Sequence, residues 1–156
     1  MPAPPRLLRQ DRALTAIAVL LDVAFHAGRG TGAHAVAGGA EVAERLGAAR
    51  RGIEPVFQAL SRAGLLEGVR GPRGGYRLAR RPRDIRLSEA VAAVAEGAEP
   101  SDLGGPLHTG VVAPLWAELD AGVAERLAGL TLEDLLRRAD KAGLKRPAAE
   151  PVNFAI

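Results

Sequence analysis

"VRGPRGGYRLAR", from Val69 to Arg80, holds three glycines, one proline and four arginines. Its Pro-Arg-Gly-Gly centre lies between apolar residues. That pattern predicts a β-hairpin tip, because proline and glycine supply the backbone angles of a chain reversal. Leu65–Val69 and Gly75–Ala79 alternate on either side and are expected as its two strands. Chain reversal does not require Arg70, Arg73, Arg77 and Arg80. A hairpin this positive implies an anionic surface opposite it.

The residues upstream say what kind of hairpin it is. In "AEVAERLGAARRGIEPVFQALSRAGLL", residues 40–66, Val42, Ala43 and Leu46 recur at helical spacing until Gly47. A second helix is expected over about Arg50 to Ala63. Ile53, Val56, Phe57 and Leu60 form its apolar face, and Gly64 ends it. Pro55 reads as falling in the first turns, where an amide has no helical partner. Two short helices joined by a tight glycine-containing turn make a helix-turn-helix. A hairpin directly after the second helix is a wing. The outer face of that helix carries Arg50, Arg51, Glu54, Gln58 and Arg62. Its N-terminal end is where such motifs meet base edges.

The rest of the chain frames this module. Leu7 to Ala27 predicts a largely buried first helix. Arg83 to Leu87 reads as a short strand or linker. Leu87 to Glu96 reads as a helix with Val91 and Val94 inward, and Glu96 to Val111 as a loop. Val112 to Ala128 is expected as a long helix. Val112, Leu115, Trp116, Leu119, Val123 and Leu127 lie along it as one stripe. Thr131 and Asp134 have the spacing of a cap for a short helix bearing Leu132, Leu135 and Leu136. The fold class is therefore mainly α with a small β-hairpin wing. Residues 6–97 form the winged helix-turn-helix, 98–111 the loop, 112–142 the later helices and 143–156 an extended tail.

Composition bounds the function. Of the 156 residues, 47% are hydrophobic, 25% charged and 3% aromatic, the make-up of an ordinary globular chain. There is no cysteine, which excludes disulfides, thiol nucleophiles and thiolate-held metals. MPAPPRLLRQD lacks the apolar core of a signal peptide, so a cytoplasmic location is expected. Ala13 to Ala27 is too short and too interrupted to span a bilayer. The net charge of +3 hides an asymmetry. Arg45 to Arg86 carries eleven arginines against Glu54, Glu67 and Asp84, a net of +8. Glu96 to Asp140 carries three arginines against nine acids, a net of −6. The middle is built to meet something anionic, double-stranded DNA above all. GRGTG in the Gly28–Gly39 loop follows a helix rather than a strand, so it reads as a connector and not a phosphate loop. His26, His34 and His108 lie in separate segments, so no metal site is expected. No Ser/His/Asp order or carboxylate pair suggests an enzyme, and no cofactor is expected.

"AEVAERLG", "IEPVFQALSRAGLL", "VRGPRGGYRLAR" and "IRLSEAVAAV" follow one another as in the bacterial winged-helix regulators of the Rrf-two family, which this chain resembles. That family includes iron–sulfur cluster regulators, nitric-oxide-sensing repressors and cysteine-metabolism repressors. The likeness is close over residues 7–97 and looser over "APLWAEL" and "LTLEDLLRRA". It implies a homodimeric transcription factor whose helix Val112–Ala128 pairs with its twin, so that 112–142 become dimerisation helices. It implies base recognition by Glu54 and Arg70. Several relatives hold an iron–sulfur cluster through three cysteines in the loop before the dimer helix. Glu96 to Val111 has none, so sensing by those ligands is excluded.

The expected DNA contacts are Arg50, Arg51, Glu54, Gln58, Arg70, Arg73 and Gly74. Arginine suits guanine O6/N7 and glutamine suits adenine. Arg73, at the hairpin tip, suits phosphate or the minor groove, and glycines beside it would let the backbone come close. Arg77 and Arg80 read as phosphate neighbours or plain surface. Tyr76 and Trp116 read as packing residues. A repressor on a near-palindromic operator is the leading reading. The alternative is a protein-interaction winged helix whose basic face is incidental. Changing Arg51 and Arg70 discriminates between them.

Overall fold

A computed structural model describes residues 12–26, 36–95 and 102–146. Among these are helices α1 (Arg12–His26), α2 (Gly39–Leu46) and α3 (Arg50–Arg62), strands β1 (Leu66–Val69) and β2 (Gly75–Leu78), and helices α4 (Leu87–Val94), α5 (Ala113–Ala128) and α6 (Leu132–Lys141). The ends of the expected first helix, most of the Gly28–Gly39 loop, residues 96–101 and the tail from 147 lie outside the described residues. No described helix is long and apolar enough to cross a membrane.

The core forms around α1, whose Ala16, Val19, Leu20 and Val23 are wholly buried. Against it lie Ile53, Val56, Phe57 and Leu60 of α3, each at most 1% exposed. Burial of side chains this size stabilises by roughly 1.5–3 kcal/mol each before the cost of ordering them. In α4 the inward residues are Leu87, Ala90 and Val94, while Val91 is only half-buried. Spacing explains this correction, since 87, 90 and 94 share one helical face and 91 lies at its edge. Leu132 and Leu136 of α6 enter the same core.

Three local expectations change. Pro55 lies in the sixth position of α3, beyond the turn whose amides lack partners. Its missing N–H is the one that would have met the Arg51 carbonyl. The loop before α5 ends sooner than its glycines suggest. Helix begins at Pro106, and His108–Val112 form a π-turn in which the Ala113 N–H reaches the His108 carbonyl. One inserted residue is accommodated there instead of breaking the helix. Finally, Arg83–Leu87 is neither a simple strand nor a free linker. Pro82–Asp84 form a 3₁₀ turn, and Arg86 then bridges antiparallel to Thr131. The Leu132 N–H donates to the Ile85 carbonyl and the Leu87 N–H to the Leu130 carbonyl, both at 2.9 Å.

Candidate nucleic-acid interface

Gly47 adopts a left-handed conformation (φ 63°), lets its N–H close on the Ala43 carbonyl, and turns the chain from α2 into α3. The pair is tied to α1 by a part-buried ion pair. Arg45 of α2 donates from Nη2 to Asp22 Oδ1 at 2.7 Å and from Nε to both carboxylate oxygens at 3.1 Å. The Asp22 side chain is 6% exposed, and a carboxylate so buried requires hydrogen-bonding partners. Hydrogen bonding to Asp22 outweighs the partial burial of Arg45 and holds its guanidinium protonated even more firmly than usual. Asp22 is one of the residues that interrupt the apolar run Ala13 to Ala27. That interruption was the available signal for the clamp.

On α3, Arg50, Arg51, Glu54 and Gln58 are all exposed, opposite the buried face. On the wing, Leu66 pairs with Leu78, Glu67 with Arg77, Gly68 with Tyr76 and Val69 with Gly75. The tip is a tight turn over residues 71–74, closed by the Gly74 N–H on the Gly71 carbonyl at 2.9 Å, with Arg73 as one of its two central residues. Arg70 and Arg73 are exposed. Besides the chain reversal expected of them, two of the glycines are required by space. A Cβ at Gly74 would overlap the carbonyl oxygens of Val69 and Gly71, and one at Gly75 the Ala37 backbone. Gly74 thus belongs to the turn itself. Close approach to a ligand is not needed to explain it.

Gly75 is crowded because the wing has a further partner. Ala37, just before α2, exchanges two backbone hydrogen bonds of 2.8 Å with Tyr76. Tyr76 stacks on Phe57 of α3, ring centres 4.4 Å apart and planes 6° from parallel. The wing and α3 are thereby registered through one aromatic pair. Burial, and then the Glu54 carboxylate, push the Tyr76 phenol above its usual value, which places Glu54 near the root of the wing.

The eleven arginines of the basic middle now separate. Arg45 is committed to Asp22, Arg77 to Glu67 at 3.0 Å, Arg80 to Glu89 at 2.9 Å, and Arg86 to the Ala128 carbonyl at 2.7 Å. The Glu67 carboxyl is held below its usual value by its hydrogen bond from Arg77. Among the described residues, Arg50, Arg51, Arg62, Arg70, Arg73, Arg81 and Arg83 make no side-chain hydrogen bond or ion pair. Their charge is available to an external anion.

Comparison with known proteins bears on this surface. The family model Rrf2, described as an iron-dependent transcriptional regulator, matches residues 10–138. The HTH-type transcriptional regulator IscR of Photobacterium profundum is 34% identical over 132 residues, 78% of this chain and 71% of its own. IscR of Aliivibrio salmonicida is 32% identical over 131 residues, 78% and 72% of the two chains. Among solved structures, IscR of T. potens has a TM-score of 0.70 at 29% identity, covering 90% of this chain and 94% of its own. CymR, the global cysteine regulator of B. subtilis, has a TM-score of 0.64 at 23% identity, covering 85% and 98%, and shares the fold. The residues present do not fit a thiolate-held iron cluster. The chain has no cysteine. Among the described residues no three His, Asp or Glu side chains converge as metal ligands.

Proposed function

Because this chain belongs to the Rrf2 family of transcriptional regulators, we propose that it is a homodimeric cytoplasmic repressor of a near-palindromic operator. The chain is a winged-helix DNA-binding regulator and not an enzyme. The observation that carries the finer reading is the set of unpaired arginines on α3 and the wing. We assign Arg50, Arg51, Glu54 and Gln58 to the major groove, and Arg70 and Arg73 to the adjoining backbone or minor groove. Gly74 shapes the tip that presents Arg73. Dimerisation is supported by α5. Leu115, Trp116 and Leu119 are 43–51% exposed there, as is Val112 of the π-turn before it, more apolar surface than a lone helix leaves to water without purpose. Two copies joined along this stripe would carry their recognition helices to successive major grooves.

The test is titration of the full chain against its own promoter fragment and against random DNA at several salt concentrations. Log affinity should fall linearly with log salt, and the promoter should be preferred by about a thousandfold or more. Equal affinity for both would end the operator reading.

A further inference from the structure

Helix α5 is attached to the winged body mainly at its C-terminal end. None of its residues is buried, and Val123, Leu127 and Ala128 are half-buried while Leu115, Trp116 and Leu119 are exposed. Beside its contact with α4, its angle to the body is therefore decided at the junction with residues 85–87. Two backbone hydrogen bonds of 2.9 Å, from Leu132 to Ile85 and from Leu87 to Leu130, hold that junction. Two parallel rungs resist sliding, but they leave a line about which the segments can turn. A third contact off that line removes the freedom. Arg86 supplies it: its Nη1 donates to the Ala128 carbonyl at 2.7 Å, across 42 residues of sequence. That carbonyl ends α5, where helix carbonyls lack partners and the helix dipole favours a cation.

Arg86 is itself held from the wing side. Its backbone N–H donates to Glu89 Oε2 at 3.0 Å, and Arg80 Nη2 donates to Glu89 Oε1 at 2.9 Å. Arg80 Nη1 also donates to the Asp84 carbonyl at 3.3 Å. Arg80 lies two residues beyond β2, so one run of charge-assisted contacts joins the wing exit to the end of α5. Arg80 and Arg86 are exposed and Glu89 is only half-buried, and ion pairs so placed stabilise a fold little. Their geometry has a better explanation than stability.

We infer that Arg86 is a positioning residue that sets the angle between α5 and the winged body, and with it the half-site spacing a dimer accepts. The inference rests on the dimer reading above. In a dimer joined along α5, a turn at this junction in each copy moves the two recognition helices relative to one another. One added base pair rotates a half-site by about 35° and shifts it by about 3.4 Å. A stiff junction rejects that change and a loose one absorbs it.

The experiment uses the full chain, an operator recovered from a random DNA pool, and versions of it with one base pair added or removed between half-sites. Sedimentation gives the mass of each protein. The wild type is expected to lose about tenfold in affinity on either change. Arg86→Met keeps the stem and removes the donor. It should bind its best operator within about threefold of wild type, yet discriminate spacings by less than about threefold. Arg86→Lys, which can still reach a carbonyl, should restore discrimination. Dimeric Arg86→Met with undiminished discrimination overturns the inference alone. A monomeric wild type overturns the dimer reading and the inference together. If Arg86→Met does not fold, Glu89→Gln replaces it. Discrimination should fall in Glu89→Gln and persist in Arg86→Lys, and equal discrimination in the two overturns the inference.

Discussion

Whether an arginine side chain is free or committed decides what it can offer DNA. Arg73 and Arg77 lie on the same hairpin, and the sequence treats them alike except for the turn. Arg77 is spent on Glu67, so its removal also releases a carboxylate, whereas Arg73 has no such partner among the described residues. Arg73→Ala should lower the slope of log affinity against log salt by about one, as expected for one lost phosphate contact. Arg77→Ala should leave a smaller deficit, measured in the same titrations. Arg45 shows the opposite extreme. Removing it strands Asp22, whose side chain is 6% exposed, without its cation. Because Arg45 is itself 30% exposed, the cost should lie below that of a fully buried pair, at about 2–3 kcal/mol. Urea unfolding of Arg45→Ala measures it. A loss under about 0.5 kcal/mol, the range of ordinary surface changes, would show the clamp to be dispensable.

Elements in this protein hold their places through contacts at their ends. Helix α6 starts with the predicted cap. The Asp134 N–H donates to Thr131 Oγ1 at 3.2 Å, and the Thr131 N–H donates to Asp134 Oδ2 at 2.9 Å. Thr131→Ala should cost about 1 kcal/mol, read as a lower denaturation midpoint. The hydrogen bond from the Thr131 backbone, and then that from its hydroxyl, hold the Asp134 carboxyl below its usual value. A lowered carboxylate contributes stability that is complete above the unfolded-state value and is lost as pH falls through the folded one. Glu89, lowered chiefly by the Arg86 N–H and further by Arg80, acts in the same direction. Melting temperature should therefore stay level from neutral pH down to the carboxylate range and fall below it. The fall should be shallower in Thr131→Ala. The wing likewise depends on its root, where Tyr76 meets Phe57 on one side and Ala37 on the other.

At the scale of the whole molecule, α5 presents an exposed apolar stripe that the single chain leaves uncovered among the described residues. The double substitution Trp116→Glu and Leu119→Glu places charge on two positions that are 51% and 43% exposed. Folding of the monomer should survive, because neither side chain enters the core. Sedimentation should show half the wild-type mass, and affinity for a two-half-site operator should fall by about a hundredfold or more as the second half-site is lost. A variant that remains dimeric would move the interface away from this stripe.

Much of this was legible in the sequence because helical periodicity, capping and chain reversal are local. Ile53, Val56, Phe57 and Leu60 announce one face of a helix, Thr131 and Asp134 its cap elsewhere, and the glycines of residues 69–80 a hairpin. The excess of arginine announced an anionic partner. Which arginines remain for that partner was a tertiary decision. Asp22 and Arg45 are 23 residues apart, and Arg86 and Ala128 are 42 apart. No local pattern encodes such pairings. They arise because packing α2 against α1, and residue 86 against the end of α5, brings a guanidinium within hydrogen-bond distance of a carboxylate or of a helix-end carbonyl, where low solvent exposure or the helix end makes the pairing favourable. The sequence by itself determined the kind of molecule and the sign of its ligand. The fold decided which side chains are left over to bind it.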